Sequence, residues 1–169
     1  MSSPIRIYVQ GIDTMNRFIG RIVMYGIFVL MGVLLYSSFM KTFFISPNWS
    51  LEMAQFIMVA YYLMGGPYSM QEGAHVRMDL LYDGWSDRTR AMVDVVTVLM
   101  LGFYLIILLY GGLSSTGYAL KYGEESYSSW APQMAPIKIV MCIGIFLMIL
   151  QALSSLLKNI AKLQGEPLT

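Results

Sequence analysis

Charge is what this sequence lacks most. Only 12% of its 169 residues are Asp, Glu, Lys or Arg, about half the ~25% usual in soluble domains. Hydrophobic residues make up 57%, and the mean hydropathy is +0.60. The 11 basic residues nearly cancel the 10 acidic ones and leave +1, so no net field exists to attract nucleic acid or an acidic partner. A single cysteine, Cys142, and a single histidine, His75, exclude a disulfide framework, a bis-histidine haem site and a Cys/His zinc cluster within one chain. No cofactor or metal is expected.

The chain does contain long uncharged runs. Residues 22–40 form the first, 19 residues between Arg21 and Lys41, close to the ~20 that cross a ~30 Å hydrocarbon core. Residues 53–70 form the second, preceded by Trp49, Ser50 and Glu52 and interrupted late by Gly65, Gly66 and Pro67, which predicts a kink. The third run, 95–120, has 26 residues and at ~1.5 Å each exceeds the core thickness, predicting tilt or protrusion. The fourth lies between Lys138 and Lys158, with Pro136 in the expected first turn. These runs are continuously apolar rather than alternating, which excludes barrel strands. The first is longer than a signal peptide's apolar region and no A-x-A-like site follows it, so it reads as a retained anchor.

The expected fold is an all-α membrane protein of one domain, with four transmembrane helices near 20–40, 51–71, 88–120 and 137–157. The ends, 1–4 and 165–169, read as loosely ordered. Eight basic residues, Arg6, Arg17, Arg21, Arg77, Arg88, Arg90, Lys158 and Lys162, flank one side, against Lys41, Lys121 and Lys138 on the other. The positive-inside rule therefore predicts that both termini and the middle loop are cytoplasmic. Trp49, Trp85, Tyr118 and Trp130 fall near predicted boundaries, where aromatic side chains anchor at headgroup level.

Ionisable groups near the bilayer midplane mark a translocation path, and the middles of these runs have none. Glu52 and Asp94 fall in expected first turns, where the exposed N–H groups favour a carboxylate. In the middle loop, 71–90, a helical reading puts His75, Met78, Leu81, Tyr82 and Trp85 on one face and Asp79, Asp83 and Asp87 on another. That pattern predicts a short interfacial amphipathic segment between helices 2 and 3, in contact with membrane lipid, with His75 and Asp79 paired at i, i+4 and Arg77 reaching phosphates. Gly111-x-x-x-Ser115 and Gly112-x-x-x-Thr116 place small residues where another helix can approach closely. The 15 methionines read as adaptable packing, Cys142 as a small apolar residue, and the Asn48-Trp49-Ser50 sequon as accidental.

Three groups of residues carry a resemblance. Pro47-x-Trp49-x-x-Glu52 opens the second run and leads to Gly65-Gly66; His75-Val76-Arg77-Met78-Asp79 occupies the middle loop; and Gly123-Glu124-Glu125-Ser126 with Trp130, Pro132 and Pro136 precedes the last run, which holds Gly144 and Gln151. In order and spacing the chain resembles the DctQ-type small membrane subunit of tripartite ATP-independent periplasmic (TRAP) transporters. Gln55 and Met78 depart from that pattern. The resemblance implies a bacterial inner-membrane complex, not an enzyme. Its large DctM-type subunit would carry the sodium and substrate sites, and a DctP-type periplasmic protein would deliver an organic acid. The small subunit would act as scaffold, with Trp49, Glu52, His75, Arg77, Asp79, Glu125 and Ser126 as candidate partner or structural contacts. The rivals are a four-helix membrane enzyme of the membrane glutathione transferase type, which needs basic groups inside the bundle, and a small autonomous exporter, which needs an intramembrane carboxylate.

Overall fold

The computed structural model describes residues 3–45, 47–72 and 87–163. Among them are five helices: α1 (Ser3–Met24), α2 (Gly26–Phe43), α3 (Ser50–Gln71), α4 (Asp87–Tyr122) and α5 (Ala135–Leu163). The described residues form no strand, only an isolated bridge between Glu125 and Gln133.

Three helical stretches are long and apolar enough to cross a membrane: Arg6–Phe43, Met92–Tyr122 and Ala135–Ala161. The first joins α1 to α2 through a tightened turn, in which Tyr25 N–H bonds to Ile22 O and Phe28 N–H to Tyr25 O, both at 3.1 Å. Helix therefore begins at Ser3, where the sequence pattern leads one to expect a loose end. The 22 residues of α3 give about 33 Å, also a spanning length. Its composition is less apolar, because it holds Glu52, Gln55, Gly65, Gly66 and Pro67. Asp94 is not in a first turn: α4 starts seven residues earlier, at Asp87. Arg88, Thr89 and Arg90 extend the helix beyond the apolar run, since adding residues to an existing helix costs little.

Helix α5 is the central element, with α4, α3 and α1 packed on it, while α3 runs antiparallel to the α2–α1 rod, pairing Ser37 with Ser50 and Gly20 with Tyr68. Leu105, Ile145 and Ala152 form the buried core, with Leu63, Met141 and Met148 against them. The α3–α5 crossing has a specific cause. Pro67 has no N–H to offer the Leu63 carbonyl one turn earlier, and α5 places Gly144 there, so close that a Cβ on Gly144 would lie 2.9 Å from the Leu63 carbonyl carbon and oxygen. Small residues allow this approach in a bilayer, where close packing replaces the hydrophobic drive.

The two small-residue pairs of α4 face different ways. Gly112 and Thr116 are buried against α5. There Thr116 Oγ1 donates to Gly112 O (2.7 Å) and lies 3.3 Å from Cys142 Sγ. Gly111 and Ser115, with Gly112, line an open groove of about 350 Å³ between Tyr104 of α4 and Met141 of α5. Most of α4's outer surface is uncovered: Met100 is 71% and Tyr110 80% exposed.

Candidate functional site

The polar side chains gather at the two ends of the bundle. At the end formed by the α2–α3 and α4–α5 connections, α4 stops at Gly123, whose φ of +61° suits glycine. Glu124 N–H then reaches back to Ala119 O at 3.2 Å, the bond that closes a Schellman-type terminus. The connection folds on itself through Ser126 N–H to Pro132 O (3.0 Å) and Met134 N–H to Glu124 O (2.9 Å), and is fastened to α5 by the Glu124–Lys138 ion pair.

This loop rests on the first turn of α3. Ser126 Oγ donates to Glu52 Oε1 at 3.3 Å, so two candidate residues 74 positions apart meet. Glu52 is 9% exposed, and its Oε2 is buried with no hydrogen-bond partner among the described residues. Trp49 stacks on Tyr36, ring centroids 5.9 Å apart, and Ser50 Oγ lies 2.8 Å from Ser37 Oγ, tying α3 to α2. Glu125 is exposed and does not join Glu52. A cleft of about 240 Å³ beside Glu52 is lined by Lys41, Asn48 and Ser129. His75, Arg77 and Asp79, with the proposed amphipathic segment, lie outside the described residues.

Sequence reasoning missed a second polar cluster, at the end carrying the termini. Asn16 Nδ2 donates to Gln151 Oε1 (2.7 Å); Gln151 Nε2 and Ser154 Oγ donate to Asp13 Oδ1 (3.1 and 3.2 Å); Lys158 pairs with Asp13 Oδ2. The Gln71 amide adds α3 to the set when its nitrogen faces Asp13 O and its oxygen Arg17 Nη2, each at 3.2 Å. Asn16, Gln151 and Ser154 are almost fully buried. The legible clue was spacing: Val9, Ile12, Asn16 and Gly20 fall on one helical stripe, and so do Gln151, Ser154 and Lys158.

Each carboxylate receives donors from structural neighbours: Ser126 on Glu52, and Gln151, Ser154 and Lys158 on Asp13. Among the described residues no three His, Cys, Asp or Glu side chains come together as a metal site would require. What both clusters do is pin helices to one another.

A family model described as tripartite ATP-independent periplasmic transporters, DctQ component, matches residues 15–162. The chain belongs to this family. Searches of curated proteins and of solved structures gave no match. The DctQ chain is thus the small membrane component of a TRAP transporter, a transporter component rather than a member of an enzyme family.

Proposed function

We propose that this DctQ chain is the fixed scaffold of its transporter. It crosses the bacterial inner membrane four times, α3 included, with both termini cytoplasmic. It holds the large sodium-coupled DctM-type subunit and helps receive a DctP-type binding protein carrying an organic acid. The carrying observation is the absence of charge from residues 22–40, 53–71, 95–120 and 139–157, where an ion-coupled path needs groups that replace lost hydration. The Pro67 break supports the same reading, since Gly144 of α5 fills the space beside the Leu63 carbonyl. The uncovered face of α4 offers the large subunit a surface, and the Glu52–Ser126 platform offers one to the binding protein.

The test is reconstitution of this chain alone, the large subunit alone, and both together, each with binding protein, substrate and a sodium gradient. The scaffold reading expects no uptake by this chain alone, and uptake by the pair exceeding that of the large subunit. Sodium-driven uptake by this chain alone refutes it.

A further inference from the structure

Where α1 passes α3, Gly20 lets the helices come so close that its Cβ would stand 2.3 Å from Tyr68 Cβ, and the space beside Gly65 stays open. Gly20, Gly65 and Gly66 floor a groove of about 550 Å³ whose walls include Tyr61, Tyr62 and Met148. It extends along α3 from Tyr61 to Glu72, about 16 Å of helix, or half of a ~30 Å hydrocarbon core. Counted along α3 from Glu52 at ~1.5 Å per residue, Tyr61 lies near the midplane and Glu72 near the opposite boundary. The deep part is lined by apolar and aromatic groups. The outer end is charged: Glu72 lines it, Arg17 lies beside it through the Gln71 amide oxygen at 3.2 Å, and Arg21 follows Gly20. All three ionic side chains are exposed.

We propose that this groove binds one acyl chain of a phosphatidylethanolamine-type phospholipid. The length matches one leaflet, and the outer end complements a zwitterionic headgroup, with Arg17 and Arg21 as donors to the phosphate and Glu72 as acceptor for the ammonium. A purely anionic headgroup would leave Glu72 opposed by like charge, and a quaternary choline has no N–H to donate to it. The bound lipid lies along the groove beside Gly65, where a Cβ would meet nothing nearer than Val23 at 3.9 Å, and adds to the close contact that Gly20 already makes with Tyr68. The proposal rests on the part of the scaffold reading in which α3 crosses the membrane, and not on the scaffold role itself.

The experiment uses the full chain, alone and with its large subunit, in phosphatidylcholine nanodiscs containing a phosphatidylethanolamine with a photoreactive diazirine at mid-chain. Mass spectrometry maps the crosslinks. They are expected at residues 20–24 and 61–66 and on Met148, and should fall several-fold with excess unlabelled phosphatidylethanolamine but not with phosphatidylglycerol. Glu72→Gln, at an exposed position, should abolish the preference for ethanolamine over choline while leaving the crosslink sites in place. Gly65→Phe should empty the groove of lipid, and Gly111→Phe on the open side of α4 should not. Crosslinks spread evenly over α4 and the groove mean annular lipid only and overturn the proposal. So does a groove signal that disappears when the large subunit binds, which makes the occupant a protein helix, and so does unchanged headgroup preference in Glu72→Gln.

Discussion

Adding one methyl group at Gly144 tests the α3–α5 crossing directly. The Cβ of Gly144→Ala would stand 2.9 Å from the carbonyl carbon, carbonyl oxygen and Cβ of Leu63, against about 3.4 to 4 Å for an ordinary contact. Two of those three atoms are backbone, so no rotamer change relieves the clash, and the helices must separate by roughly 0.5 to 1 Å. A gap of that size forfeits about a quarter to a half of each contact's dispersion energy, and overpacking of this kind costs about 1 to 3 kcal/mol. For a chain of this length each kcal/mol corresponds to about 2 to 4 °C in Tm, so thermal unfolding in detergent, followed by tryptophan fluorescence, should drop by about 2 to 12 °C. Gly66→Ala meets only the flexible end of Met148, 2.9 Å away at Sδ, and should lose less. Gly102→Ala and Gly32→Ala have nothing within 4 Å and should gain about 0.5 to 1 kcal/mol from helix propensity. If Gly144→Ala unfolds at the same temperature as Gly102→Ala, the close approach does not hold the crossing together and the reasoning is wrong.

Asp13→Ala removes the acceptor shared by Gln151, Ser154 and Lys158 and should destabilise by about 1 to 3 kcal/mol. Combining it with Lys158→Met should cost less than the two single changes added, and simple additivity in the double-mutant cycle would deny the coupling. Ser126→Ala strips the Glu52 contact; a loss of about 1 kcal/mol should appear as faster amide exchange in 124–134 with α1 unchanged, and equal protection would show that the contact does not hold the loop. For topology, in a Cys142→Ala background an impermeant thiol reagent applied to intact spheroplasts should label Ser129→Cys and spare Gln10→Cys. The reverse pattern would invert the orientation.

The apolar runs were legible because membrane-crossing helices need only length and continuous hydrophobicity, and α2, α4 and α5 contain three of them. What lay outside those runs was harder to read. The basic residues of α1, Arg6, Arg17 and Arg21, enter the count that predicts a side of the membrane, yet with Asp13 they also belong to an amphipathic helix whose buried stripe ends at Gly20. A topological count carries no information on which of these residues meets Lys158. The Glu52–Ser126 contact was legible as two candidate positions. Their meeting depends on the Gly123 terminus and the folded α4–α5 connection, and a single sequence does not encode the path of such a loop in any periodicity. Asp94 shows a different error: with the helix expected near 88 and observed from Asp87, that residue lies beyond its first turn, so an N-terminal dipole reading does not apply to it.

A broken helix in a membrane is ambiguous until its neighbour is known. Freed carbonyls can line an ion path, as in transporters with discontinuous helices, or they can be covered by another helix. In this chain α3 continues as helix through Pro67 to Gln71, so the break costs one hydrogen bond and not the helical course. The residue opposite the freed carbonyl is Gly144, which leaves no volume there for a hydrated ion or a carboxylate. The same glycine-for-volume exchange recurs at Gly20, where a Cβ would come within 2.3 Å of Tyr68 Cβ, and at Gly112 against Cys142. Three of the crossings that hold the bundle, α1 with α3, α3 with α5 and α4 with α5, therefore rest on a missing side chain, and polar locks at Asp13 and Glu52 close its two ends. Such a bundle is held at its crossings by close packing and at its ends by hydrogen bonds, which is the construction that the proposed scaffold role calls for.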